Sequence, residues 1–147
     1  MGTAGSLSLV KARNNEPILI MNGDVLTKVN FSYFIENHLS QNYMASMCVR
    51  KYDLQVPYGV VRSENDMIVS LDEKPIQSFT VNAGIYLLNS EILNKVPSNT
   101  YYDMPNLFNQ LLQDKKRTGV FPIHEYWLDV GRQDDFTKAQ TDFKRVF

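Results

Sequence analysis

Asp24 follows the apolar run Pro17-Ile18-Leu19-Ile20-Met21 across a single Asn22-Gly23 step. In open α/β sheets ligands bind just beyond the carboxyl ends of strands. A glycine there permits close backbone approach, and a carboxylate suits Mg²⁺. Asn-Gly-Asp is also ordinary turn chemistry. Asp129 is placed comparably in Trp127-Leu128-Asp129-Val130-Gly131, after one strand candidate and before a helical stretch. A carboxylate among apolar residues is costly unless it meets a cation or a helix N-terminus. The choice for Asp129 is therefore between a metal ligand and a cap for the last helix. Only a fold can bring these two aspartates together.

Other candidates are weaker taken singly. Glu73-Lys74-Pro75 sets a carboxylate beside an ammonium at the end of a strand, where adjacent residues face opposite ways. A solvated surface pair is the alternative. Thr80-Val81-Asn82-Ala83-Gly84 offers an amide, small side chains and accessible backbone to a hydroxyl-rich ligand, or is simply a strand entry. Gly2-Thr3-Ala4-Gly5-Ser6 is small enough to cradle a base or phosphate. His38 falls near the apolar face of a helix, the usual place of a structural histidine. With two histidines, one cysteine and no Gly-x-Ser-x-Gly, neither a nucleophile triad nor a zinc site can be assembled.

The elements that must position these residues alternate. The run 17–21, bounded by Asn14-Asn15 and Asn22-Gly23-Asp24, reads as a strand buried on both faces. Asn30 caps a helix whose apolar face is Phe31, Phe34, Ile35 and Leu39. Strands are expected over 45–52, 59–62 and 67–71, the last two forming a hairpin about Ser63-Glu64-Asn65-Asp66. Another strand covers 84–88, and Ser90 caps a short helix that ends at Pro97. Asp103 caps a firmer helix carrying Met104, Leu107, Phe108, Leu111 and Leu112. A strand over 119–123 leads to the Trp127 segment, and 134–147 forms an amphipathic helix striped by Phe136, Ala139, Phe143 and Val146 or Phe147. Strands and helices in this order make the class α/β.

Composition sets the outer limits. With 147 residues, 44% hydrophobic and 21% charged, the chain suits one folded domain rather than a disordered tract. A formal charge of −1 leaves no basic excess for a nucleic-acid backbone. Apolar stretches are short, so no membrane span is expected, and the start lacks the pattern of a secretory signal. The lone Cys48 excludes an intrachain disulfide. The expected compartment is the cytoplasm.

In order along the chain, six segments resemble the sugar-1-phosphate nucleotidyltransferases. They are Gly2-Thr3-Ala4-Gly5-Ser6-Leu7, Met21-Asn22-Gly23-Asp24, Val56-Pro57-Tyr58-Gly59-Val60-Val61, Glu73-Lys74-Pro75, Val81-Asn82-Ala83-Gly84-Ile85-Tyr86 and Trp127-Leu128-Asp129-Val130-Gly131-Arg132. The resemblance implies a Rossmann-like, GT-A-like mixed sheet flanked by helices. It also implies attack of a sugar-1-phosphate on the α-phosphate of an NTP, giving an NDP-sugar and pyrophosphate. Asp24 and Asp129 would be the Mg²⁺ ligands, and Lys74 would meet the sugar phosphate. Tyr58, Gly59, Glu73 and the Asn82, Ala83 and Gly84 backbone would lie on the sugar side, with Trp127 shaping that pocket. Gly2, Thr3, Ala4 and Gly5 would border the base.

The family's glycine-rich signature, with its arginine and lysine for the triphosphate, has no counterpart in these 147 residues. The expectation is thus a single domain, 1–147, lacking the triphosphate-binding segment and showing background turnover alone. A non-catalytic sugar-nucleotide-binding or oligomerisation module and a GT-A glycosyltransferase fragment are the alternatives. Mannose- or glucose-1-phosphate is the sugar phosphate favoured. An uncovered edge at 17–21 and the Phe136-Phe143-Phe147 stripe suggest a homodimer or larger oligomer.

Overall fold

The computed structural model describes residues 2–11 and 16–147. Asn14 and Asn15, expected to bound the first strand, lie outside the described residues. In chain order the elements are α1 (Gly2–Gly5), β1 (Ile18–Met21), β2 (Val25–Thr27), α2 (Phe31–Ser40), β3 (Ala45–Gln55), β4 (Val60–Glu64), β5 (Met67–Asp72), β6 (Ile76–Leu88), α3 (Met104–Gln113), β7 (Thr118–Pro122), β8 (Trp127–Asp129) and α4 (Gln133–Val146). Short 3₁₀ turns cover Ser6–Leu9 and Ser90–Lys95. These elements divide into two compact units. One runs to Val49 and resumes at Asn82–Phe147; the other is Arg50–Val81.

The first unit is built on a mixed sheet with strand order β1-β6-β3-β7. β1 is antiparallel to β6, from Ile18 opposite Leu88 to Met21 opposite Ile85, while β3 and β7 are parallel. Period-two alternation along β6 sends Tyr86 and Leu88 to one face and Ala83, Ile85 and Leu87 to the other. The first set packs with Ala4, Leu7 and the α3 residues Met104, Leu107 and Leu111. The second packs with Phe34 of α2, Cys48, Phe121 and Ile123. Both faces are covered, so 83–88 reads as an unbroken buried run.

β1 departs from the expected doubly buried strand. It is an edge strand on which Ile18 and Ile20 meet the core, while Leu19 and Met21 are 41% and 45% exposed. β6 is also longer than expected, and its first residues belong to the second unit.

Capping explains most helix boundaries. The Asn30 side chain accepts the Tyr33 amide at 3.0 Å and starts α2 as expected. Its apolar face continues to His38 rather than to Leu39, which is 53% exposed. Position i+7 and position i+8 are both compatible with a 3.6-residue period, and His38 takes the buried one. Both its ring nitrogens are partnered, Nδ1 with Ser46 Oγ at 2.5 Å and Nε2 with Asn89 Oδ1 at 3.0 Å. It is a structural histidine. Ser90 does not cap a helix: it opens the 3₁₀ turn and is buried.

Asp103 precedes α3 but its carboxylate does not cap that helix; the Thr3 hydroxyl accepts the Met104 amide instead, at 2.9 Å. α3 ends in a left-handed residue, Lys115 (φ 52°), with the Lys116 amide donating to the Leu111 carbonyl at 2.9 Å. At α4 the Arg132 amide donates to Asp135. Tyr126 Oη donates to Asp142 at 2.8 Å, and the Lys28 ammonium donates to the Val146 carbonyl. Among the described residues no helix is long and apolar enough to cross a membrane.

In the second unit β4 and β5 pair as the expected antiparallel hairpin. Asn65 and Asp66 at its tip both have positive φ, 47° and 64°, as a two-residue primed turn requires. Ser78 Oγ donates to Asp53 at 2.5 Å. No side chain of Arg50–Val81 is buried.

Candidate functional site

β2 and β8 form a short antiparallel ribbon in which Val25 faces Asp129 and Thr27 faces Trp127. The Val130 amide donates to the Asp24 carbonyl at 2.8 Å, extending the pairing by one residue. Asp24 and Asp129 are thereby brought to the same end of one ribbon. Each is exposed. The Asp129 carboxyl is held above the usual carboxylate range, first by desolvation, then by the negative charges of Asp24 and Asp135.

The backbone around Gly84 anchors this end. Gly84 has φ 72°, and a Cβ there would lie 2.9 Å from Asn22 Nδ2. Only glycine allows so close a crossing. The Asn22 amide donates to the Gly84 carbonyl at 2.8 Å, the Gly84 amide to Asn82 Oδ1 at 2.9 Å, and Asn82 Nδ2 to Tyr86 Oη at 2.8 Å. Trp127 Nε1 donates to the Ala83 carbonyl at 2.8 Å. Asn82, Ala83 and Gly84 thus tie the exit of β1 to β8. Asn22 and Tyr86 were not among the site residues expected from sequence. Their signals were present: an amide just before Gly-Asp, and Asn82 and Tyr86 four apart on one strand face.

Two grooves meet at Asp24. The first, ≈ 450 Å³, has Gly2 and Thr3 on one wall and Met21, Asn22, Gly23 and Asp24 on the other. The second, ≈ 790 Å³, runs between Gly23-Asp24-Val25 and the α4 stripe of Phe136, Ala139 and Phe143. Of the four expected base-side residues, Gly2 and Thr3 reach the first groove. Ala4 and Gly5 are buried, with their amides on the Tyr102 carbonyl at 3.0 and 2.9 Å.

Tyr58, Gly59, Glu73 and Lys74 belong to the second unit. Glu73 Oε2 lies 3.1 Å from where a Gly59 Cβ would sit, so the carboxylate rests against bare backbone. Lys74 has φ 48°, and strand alternation does not apply at the Glu73–Lys74 step. Tyr58 is 74% exposed.

Residues 2–145 match the family described as nucleotidyl transferase. The chain belongs to that family. It is 31% identical over 144 residues to the mannose-1-phosphate guanyltransferase of Pichia angusta. It is 30% identical over 142 residues to the mannose-1-phosphate guanylyltransferase catalytic subunit beta of Drosophila melanogaster. Each alignment covers 92% of this chain but 39% and 38% of the relative, so the chain spans about two-fifths of the curated relatives it matches. The solved structure of HddC from Yersinia pseudotuberculosis superposes with a TM-score of 0.65 at 23% identity, covering 97% of this chain and 62% of that one. The same protein has been solved complexed with GMP-PN. The mixed sheet flanked by helices is the Rossmann-like fold of this family of nucleotidyl transferases. In this nucleotidyl transferase domain the Asn22–Asp24 and Trp127–Asp129 segments, far apart in sequence, are neighbours through the β2–β8 ribbon.

Proposed function

We propose that this chain carries the metal and sugar-phosphate side of a sugar-1-phosphate nucleotidyltransferase, with mannose-1-phosphate or a similar hexose-1-phosphate as acceptor. A phosphate oxygen of the sugar-1-phosphate attacks the α-phosphorus of an NTP. One P–O bond forms, the α–β bridging bond breaks, and pyrophosphate leaves beside the NDP-sugar. The observation that carries this reading is the pair Asp24 and Asp129 at one end of the β2–β8 ribbon, with Asp24 lining both grooves. Among the described residues no cluster of three or more ligating side chains exists. Two carboxylates are what Mg²⁺ needs when substrate phosphates and water complete its shell. The raised Asp129 carboxyl fits a site where a cation offsets two like charges. Mg²⁺ bound there would neutralise phosphate charge and polarise the α-phosphate.

The chain's own residues then bind and orient. Within the Arg50–Val81 unit taken by itself, Lys74 would meet a sugar phosphate, Glu73 against the Gly59 backbone would take sugar hydroxyls, and Tyr58 offers an exposed ring. Asn82, Ala83 and Gly84 fix the Trp127 indole, which shapes the sugar pocket. Gly2 and Thr3 border the base.

Thermal shift with Mg²⁺ and GDP-mannose tests the reading. The wild-type melting temperature should rise with both ligands together. Asp129→Asn should melt no lower than wild type without Mg²⁺, because it removes an uncompensated charge, yet lose the Mg²⁺-dependent rise. A wild-type chain indifferent to GDP-mannose and mannose-1-phosphate, with or without Mg²⁺, would overturn it.

We also propose self-association. Its support is the position of β1 at the sheet edge and the exposure of Phe136, Phe143 and Phe147, at 48%, 57% and 51%.

A further inference from the structure

Asp103 gathers two donors from Thr3, a hundred residues away. The Thr3 amide donates to its Oδ1 at 2.8 Å and the Thr3 hydroxyl to the same oxygen at 3.1 Å. Tyr101 donates to the carboxylate as well, and these bonds hold Asp103 below the usual carboxylate range, Tyr101 first and the Thr3 amide next. The Thr3 hydroxyl oxygen accepts the Met104 amide, and the Tyr102 carbonyl accepts the amides of Ala4 and Gly5. Gly2 has φ 74°, and a Cβ there would come within 2.6 Å of the Tyr102 carbonyl and 2.7 Å of Asp103 Oδ1. The tetrapeptide Gly2–Gly5 is therefore seated on residues 101–104 with no room for a side chain at its first position.

The other side of Gly2 and Thr3 lines the groove that ends at Asn22, Gly23 and Asp24. Both the amide and the hydroxyl of Thr3 are engaged on the α3 side, so these polar groups serve the seat rather than a ligand. We propose that Asp103 is a positioning residue for the nucleoside end of the site, holding the Gly2–Thr3 backbone as the wall against which a nucleobase lies. This rests on the nucleotidyltransferase reading and deepens it. The base is met by backbone and shape at this wall, and Thr3 acts through its place in the fold. A preorganised wall strengthens binding by removing the need to order it when ligand arrives. Its loss should be felt by the nucleoside part of a ligand and not by the sugar phosphate.

Calorimetric titration of the full chain with GDP-mannose and with mannose-1-phosphate, both in Mg²⁺, separates the outcomes. Asp103→Ala should weaken GDP-mannose about tenfold and leave mannose-1-phosphate unchanged, since misplacing a contact surface costs affinity only where it is used. Asp103→Asn, which keeps an acceptor for Thr3, should stay within about threefold of wild type. Thr3→Val should behave like Asp103→Ala and serves if that variant does not fold. Equal weakening of both ligands, or no change for GDP-mannose, overturns the proposal, as does a wild type that binds mannose-1-phosphate but not GDP-mannose. A wild type that binds neither overturns the nucleotidyltransferase reading itself. Amide exchange then judges the seat alone: the Thr3 amide should be protected in wild type and exposed in Asp103→Ala, and equal exchange rates sink the seat too.

Discussion

Burial and the charge of Glu125 push the Cys48 thiol up to about 12, and the side chain is fully enclosed between α2 and the sheet. The thiolate is the reactive form, so almost none exists at pH 8. A disulfide-exchange reagent such as DTNB should leave native protein untouched over the time in which denatured protein reacts completely; rapid native labelling would contradict this burial. What the sequence discloses at this scale is uneven. The strand ends that carry Asp24 and Asp129 could be read from the turn and helix signals beside them, whereas their meeting on one ribbon could not. The exchange of roles between Asp103 and Thr3 was not, since the cap of α3 comes from a residue with no local relation to it. Ala4 and Gly5 misled for a related reason: small residues suit a ligand wall and a buried helix seat equally well.

Helix periodicity was the strongest signal among the elements, and α3 and α4 lie close to where it put them. It could not choose between His38 and Leu39, because buried polarity depends on partners supplied by β3 and by Asn89. The left-handed Lys115 closing α3 offers a direct test of backbone strain. A side chain in that region costs roughly 1–2 kcal/mol that glycine avoids, partly offset by the greater freedom of unfolded glycine. Lys115→Gly should therefore stabilise by about 0.5–1 kcal/mol in urea unfolding; destabilisation would show that the lysine makes compensating contacts. Tyr126, donating to Asp142 of α4, has its hydroxyl pushed up to about 12 by desolvation and that carboxylate. Its folded value exceeds its unfolded one, so the stabilisation is complete below about pH 10 and is lost as pH rises toward about 12. Tyr126→Phe should flatten the fall in melting temperature across that window. Cys48 titrates over an overlapping range and will leave a residual slope.

For the molecule as a whole, light scattering at micromolar concentration checks self-association. A dimer or larger species is expected, weakened by Leu19→Lys on the exposed β1 face; a monomer that binds no hydrophobic dye would refute it. The two-unit division was not legible in the sequence, because β3 and β6 each run from one unit into the other with no glycine or proline at the Val49–Arg50 or Val81–Asn82 step. Patterning reports local alternation, whereas burial depends on what the rest of the chain brings to cover a strand. The Thr3–Asp103 clasp carries a consequence for the order of assembly. During synthesis Gly2–Leu9 leaves the ribosome about a hundred residues before its seat exists, and closing so long a loop is slow. Until residues 102–103 emerge, the amides of Thr3, Ala4 and Gly5 lack the acceptors they hold in the fold, and until α3 follows Leu7 lacks that helix's share of its core. This segment is thus a late joiner that α3 completes, and in pulse-labelled refolding its amides should gain protection with those of Met104 and Leu107, in the same kinetic phase.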